Sequence, residues 1–323
     1  MTSGAAIKEG LKSARKIRSA VWVLFFANLG LAALAALPIY RGILGFTGHS
    51  LMSRELARGL PLDWLTDFAF NSPGSLGRYA EFIALLGLVT IPVNTLLAGG
   101  VLARLRDPDQ AFSLNGFFRD VGRYAWRLLR LMFIGLIFYW LVFRVFHQGL
   151  GKLIESWTGD WQSERTVFWI RLGAGILLLV FLGFVSLVVD YARVRIVRED
   201  GTSAAWAFLA SLGFCLRRFP AAVTVYVVPM LAGLALLGVY WVLVPWHEIN
   251  TIGGEGAWGL QREPLVVALL FIGQQVVMFG RYWFRVAAWA GEWSYYSGTK
   301  RGPEAAASAA APSPVPAEGQ AAA

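Results

Sequence analysis

The stretch 172–189, LGAGILLLVFLGFVSLVV, sets 18 residues without a charge between Arg171 and Asp190. As a helix rising about 1.5 Å per residue it measures roughly 27 Å, close to the hydrocarbon thickness of a bilayer. Four other stretches match it: 22 uncharged residues between Arg18 and Arg41, 22 between Glu81 and Arg104, 29 between Arg218 and Glu248, and 17 between Glu263 and Arg281. A further candidate, between Arg130 and Arg144, has only 13. It spans if Arg127, Arg130 and Arg144 extend from its two ends toward opposite interfaces. The sequence therefore predicts an all-α fold, a polytopic transmembrane helical bundle of six spans.

Composition agrees with that reading. Of 323 residues, 57% are hydrophobic and 15% charged, and the mean hydropathy is +0.55, whereas soluble domains run at about 45–50% apolar and about 25% charged. The first block follows a basic segment, as a signal sequence would. It is longer than a signal h-region and runs through Pro38, Tyr40 and Arg41 without a small-residue cleavage site, so it reads as a retained span.

Charge fixes the expected orientation. The segments 1–18, 104–130, 193–218 and 281–301 carry 20 of the 29 Lys and Arg residues, and the alternate connections carry 9; the 20 acids divide evenly. The net charges are +10 and −1, and by the positive-inside rule both termini are expected in the cytoplasm. The basic residues cluster at span ends, which fits anionic lipid headgroups at the cytoplasmic face and not nucleic acid.

The connections on the basic side share a plan. Residues 113–128, SLNGFFRDVGRYAWRL, place Leu114, Phe117, Phe118, Val121, Tyr124 and Leu128 at helical spacing; 203–218, SAAWAFLASLGFCLRR, do so with Ala205, Phe208, Leu209, Leu212, Cys215 and Leu216. Ser113 and Ser203 stand at N-cap positions. The N-terminal segment is a shorter version, with Ile7, Leu11 and Ala14 opposite lysines. The expectation is three interfacial amphipathic helices, each leading into a span, and a threefold repeat with units at about 4–105, 111–198 and 203–297. Residues 1–300 then form one membrane domain, and 301–323, rich in Ala and Pro, a disordered cytoplasmic tail.

Candidate functional residues are few. Asp190 ends a span, and intramembrane acids are functional candidates by default. Arg193, at i+3, and Arg281, at the matching end of the last span, make it an ion-pair residue; a proton-relay carboxylate is the alternative. Asn94 near Pro92, together with Asn28, Thr224, Gln274 and Gln275, can form interhelical hydrogen bonds or, with Pro229, shape a polar pocket. Gly99 with Ala103 permits close helix contact. His49, His147 and His247 all fall on the less basic side and are weak metal candidates, because zinc takes four N, S or O ligands and no HExxH or paired spacing is present. Trp64, Trp157 and Trp161 on that side read as an aromatic belt or as the rim of a cavity.

No P-loop, GxSxG or catalytic triad spacing occurs, so no enzyme activity and no cofactor is expected. Cys215 is the sole cysteine, which excludes an intrachain disulfide.

The stretch 190–220, DYARVRIVREDGTSAAWAFLASLGFCLRRFP, resembles uncharacterised bacterial polytopic membrane proteins similar to the membrane domain that accompanies some glycerophosphodiester phosphodiesterases. The shared pattern is an aspartate or tyrosine at a span's end, a basic turn, an amphipathic helix and "RRxP" into the next span. The loop GHSLMSRELARGLPLDWLTDF, 48–68, carries a similar likeness. The phosphodiesterase barrel and its catalytic residues have no counterpart, so the resemblance implies a bacterial inner-membrane protein of six helices and not the activity. Three functions stay open: a non-enzymatic envelope scaffold or accessory protein, a small-solute or lipid transporter with a site between repeats, and a membrane enzyme using the external histidines.

If the charge count sets orientation, a green fluorescent protein fused to the C-terminus will fluoresce, and alkaline phosphatase fused within 149–166 will be active. A fluorescent fusion in that loop, or an active phosphatase at the C-terminus, would reverse the topology.

Overall fold

The computed structural model describes residues 1–48, 62–71, 74–159, 163–243 and 263–310, and these are helical with no strand. In chain order the helices are α1 (Ser3–Lys16), α2 (Arg18–Thr47), α3 (Leu62–Asn71), α4 (Ser75–Arg104), α5 (Leu114–Arg144), a π-helical turn (Val145–Leu150), α6 (Gly151–Thr158), α7 (Glu164–Glu199), α8 (Ala204–Arg217), α9 (Phe219–Leu243) and α10 (Glu263–Ala310). Among the described residues five helical runs are long and apolar enough to cross a membrane: Arg18–Thr47, Ser75–Arg104, Leu114–Thr158, Glu164–Glu199 and Phe219–Val242. Only 17–22% of the most apolar window of each is buried within the protein. So much exposed aliphatic surface is untenable in water and natural in lipid, which points to a multi-pass membrane protein.

The segment with only 13 uncharged residues belongs to the longest of these runs. It succeeds because Phe133, Ile137, Trp140, Leu141 and Val145 extend one apolar surface beyond Arg144, while Arg144 lies over the Trp140 ring at 5.1 Å, an attractive contact that also draws its stem along the helix.

The three amphipathic segments begin alike and end differently. Thr2, Ser113 and Ser203 are extended N-caps whose hydroxyls accept from the amides of Ala5, Gly116 and Trp206, each three residues on, at 3.3–3.4 Å. α1 and α8 both run 14 residues and break at Ile17 and Arg218, where the backbone leaves helical angles. At the second break Pro220 stands in the first turn of α9, where its missing amide is tolerated, whereas in a continuous helix its ring would clash with the carbonyl four residues back. α5 does not break. Where Pro220 stands in the third segment, Arg130 stands in the second, and one 31-residue helix continues from amphipathic half to apolar half. The expectation of a separate interfacial helix at 113–128 is corrected accordingly.

The buried residues gather at one end of the bundle. Most fall at Ala6–Phe25, Leu97–Leu105, Phe117–Met132, Val185–Val197, Ala204–Tyr226 and Val286–Tyr296, the ends nearest the N-terminus, the 105–113 and 200–203 connections, and the later part of α10, with a smaller group at Thr47, Phe68, Ser75, Ile154 and Thr158. Each amphipathic segment packs on the helix that returns to this end: α1 on α10, the first half of α5 on α4, and α8 on α7. α2 lies against both α4 and α10, with the Trp22 and Phe279 rings 4.3 Å apart. Polar ties close the same end. Lys16 pairs with Asp109 at 2.6 Å, Arg106 donates to the Val197 carbonyl at 3.0 Å, and Tyr296 donates to Glu199 at 2.6 Å. Asp200 adopts a left-handed φ of 52° at the end of α7. It pairs there with Arg127 and with Arg123, and the hydrogen bond from Arg127 leads in holding its carboxyl below the usual range.

On α1 the buried stripe is Ala6, Gly10 and Ala14, whereas Leu11 is exposed. The face chosen is the one with the smallest side chains, because α10 presents Ala287, Ala290 and Gly291 and the two backbones come close. Of the expected apolar side, Ala14 is buried and Ile7 packs against the core, and only Leu11 is turned outward. α10 continues as helix through residues 301–310, where a disordered tail is expected; the alanines there have the highest helix propensity. Residues 311–323 lie outside the described part of the chain.

A Cβ at Gly10 would stand 2.6 Å from the Ala287 carbonyl oxygen and 2.7 Å from the Gly291 amide nitrogen, both main-chain atoms that cannot yield, while at Gly122 nothing lies within 4 Å. Gly10→Ala will therefore destabilise the protein by about 1–3 kcal/mol, and Gly122→Ala will be neutral or stabilising by up to about 1 kcal/mol. Melting in detergent distinguishes them; equal melting temperatures would refute the close crossing.

Candidate functional site

At the closed end a group of charges sits out of reach of solvent. Asp190 is 1% exposed. Its Oδ1 accepts from Arg193 Nη1 at 2.9 Å, one turn along α7. Its Oδ2 lies 2.8 Å from Arg285 Nη2 on α10, within ion-pair distance though off the line of a hydrogen bond. The carboxylate therefore bridges two helices. Spacing arranges both sides: Asp190 and Arg193 are i and i+3 on α7, and Arg285, Trp289 and Glu292 fall at i, i+4 and i+7 on one face of α10. Arg285 lies over the Trp289 ring at 5.1 Å and the Tyr226 ring at 5.9 Å, and Tyr226 shares a hydrogen bond of 2.8 Å with Ser186. The aromatic faces favour a desolvated guanidinium.

The predicted partner on α10 is corrected. Arg285, and not Arg281, meets Asp190; Arg281 lies one turn earlier and is exposed. The span's end locates the first charge after the apolar run, but the helix continues, and the pairing depth is set by where α10 packs on α7.

Glu292 was not anticipated. It is fully buried, and neither carboxyl oxygen has a hydrogen-bond partner among the described residues. The Tyr191 hydroxyl and the Trp289 indole nitrogen are buried and unpartnered as well. The signal that could have found it is a lone acid within 286–296, VAAWAGEWSYY, where small and aromatic residues otherwise mark a packed face.

Asn94 pairs with Asn28 across α4 and α2. Each amide donates to the other's oxygen, at 2.8 and 2.9 Å, and each also donates to a carbonyl four residues back, at Leu24 and Thr90. All four donors of the two amides are used, which fits an interhelical clasp. Gln274 is exposed and Gln275 half-buried, about three turns before Arg285. His147 lies in the π-helical turn, and its side chain is outside the described part, as are His49 and His247 entirely. Among the described residues no group of three or more His, Cys, Asp or Glu side chains could hold a metal. Cys215 is buried on α8, and burial pushes its thiol up to about 12. A cavity of about 580 Å³ between the π-helical turn, α6 and α7, bordered by Gln148, Lys152 and Arg171, lies toward the opposite end and includes none of these groups.

No family model matches the chain, and neither a curated protein nor a solved structure matches it.

Removing one partner of a buried ion pair strands the other charge, at about 3–5 kcal/mol. Arg285→Gln will be destabilised on that scale, whereas Arg281→Gln will melt close to the parent protein. Reversed effects would return the pairing to Arg281.

Proposed function

We propose that this protein is a non-enzymatic scaffold or accessory protein of the bacterial inner membrane, built from six spans in a threefold repeat with both termini in the cytoplasm. The sixth span is the apolar part of α10, residues 264–280. The repeat is supported by the three matched N-caps, by the equal lengths of α1 and α8, and by packing that closes on itself: each amphipathic segment rests on the returning span of the preceding unit, and α1 rests on the last. The resemblance of 190–220 to uncharacterised polytopic proteins supports the same architecture.

One observation carries the scaffold reading. At the closed end Asp190 with Arg285 and Tyr226 with Ser186 tie helix to helix, while the outer side of α8 exposes Trp206, Leu209 and Leu216 at 64%, 56% and 60%. These three share one side of the helix, opposite the buried Ala207, Ser211 and Cys215, and Arg217 and Arg218 follow them. Large apolar side chains beside arginines suit the headgroup boundary of an anionic leaflet. The exposed Leu114, Phe118 and Trp126 of α5 extend the pattern to the second unit. The arrangement favours a platform that grips the cytoplasmic leaflet over a passage through the bundle.

Transport is the second reading, and the Asn28–Asn94 pair beside Pro92 favours it. Proline removes a backbone donor, and a free carbonyl next to two amides is a feature of discontinuous helices around solute sites.

Complementation of a deletion strain separates the two. The scaffold reading expects Asn28→Leu with Asn94→Leu to restore the wild-type envelope phenotype, and Trp206→Glu with Leu209→Glu to fail although the protein is folded and inserted. Failure of the asparagine variant together with success of the face variant would favour transport.

A further inference from the structure

Two acids and two arginines lie at the centre of the closed end, and the arginines are used unequally. Arg193 and Arg285 both direct their guanidinium groups to Asp190, and Glu292, two turns beyond Arg285 on the same face of α10, receives neither. The groups around Glu292 come from every helix packed there. α7 contributes Asp190, Tyr191 and Arg193, α8 contributes Cys215, and α10 itself contributes Arg285; Tyr226 of α9 and Tyr295 of α10 stand one group further off, beside Arg285 and Tyr191. α1 presents Ala6, Gly10 and Ala14, with nothing that titrates. A carboxylate at zero exposure needs hydrogen bonds or a bonded cation to stay ionised, and charges at a distance do not replace them. Burial pushes the Glu292 carboxyl well above the ordinary range and the Asp190 charge adds to the rise, with Arg285 and Arg193 opposing.

We propose that this cluster is a proton-binding site in which Glu292 carries the proton beside the ion pairs that Asp190 makes with Arg193 and Arg285. Release breaks the O–H bond of Glu292 and passes the proton to water at the cytoplasmic surface, leaving the electron pair on the carboxylate. The new anion then competes with Asp190 for Arg285. Arg285 ties α10 to α7 while Glu292 is neutral, and turns along its own helix toward Glu292 when the proton has left. Proton occupancy is thereby coupled to the contact between α7 and α10. The coupling serves a scaffold as a pH-sensitive clasp and a transporter as a proton-driven step, so it stands independently of either reading.

The sign of the pH effect follows from the direction of the shift. The folded protein holds this proton to higher pH than the unfolded chain does. Its contribution to stability is complete below the ordinary carboxylate range and is lost as pH rises through the folded value.

Infrared spectroscopy of the full-length protein in lipid tests the site. A protonated-carboxyl carbonyl band is expected at neutral pH, disappearing reversibly in alkali, absent in Glu292→Gln and retained in Asp190→Asn. If Glu292→Gln fails to fold, the wild-type protein with carboxyl-13C glutamate answers the same question: the band must move with labelled glutamate and not with labelled aspartate. Melting should fall with rising pH in the wild type and lose that slope in Glu292→Gln. Absence of the band in the wild type, a band that follows labelled aspartate, or one that persists in Glu292→Gln overturns the proposal.

Discussion

A carboxylate withdrawn from water must be matched by cations, and in this bundle that constraint joins the two halves of the chain. Asp190 stands near the end of α7 with Arg193 a turn away, yet one local arginine leaves its second oxygen facing the interior. The remaining charge comes from Arg285, 95 residues further along. Satisfying Asp190 therefore fixes the depth at which α10 lies against α7. α10 in turn supplies the surface for α1, α2 and α9, so the placement of the first and third units follows from the pairing made by the second.

The molecule is divided by depth. Toward the termini, small residues allow close backbones, amphipathic segments cover the helices, and ion pairs join the connections. Away from them the helices expose Leu34, Leu85, Leu179, Leu234 and comparable side chains. Lipid chains are as apolar as leucine, so packing large residues against each other gains little in a membrane; close contact of small residues and satisfied polar groups do the joining instead. Gly10 against Ala287, Gly99 against Leu128 and the Asn28–Asn94 pair are the instances.

Much of this is legible before folding. The apolar runs, the N-caps at Ser113 and Ser203 and the Asp190–Arg193 pair all follow from spacing along one helix. One feature departs from the expectation though its signal is local, and two depend on tertiary packing. The 113–128 segment continues into its span because no proline or similar break stands at Arg130, a local signal that was available. The buried side of α1 is Ala6, Gly10 and Ala14, because the helix it meets accepts only small residues. Glu292 lies in a segment whose burial depends on four other helices.

The sequence by itself determined where helices begin, how long and apolar they are, and which ends carry positive charge, since these depend on neighbours within a few turns and on the solvent each residue meets. Tertiary structure alone decided that Arg285 reaches Asp190 in place of Arg281, which face of α1 is covered, and that Glu292 is left without a partner. Those outcomes depend on how far one helix slides and turns against another, and that is set by the fit of surfaces drawn from distant parts of the chain.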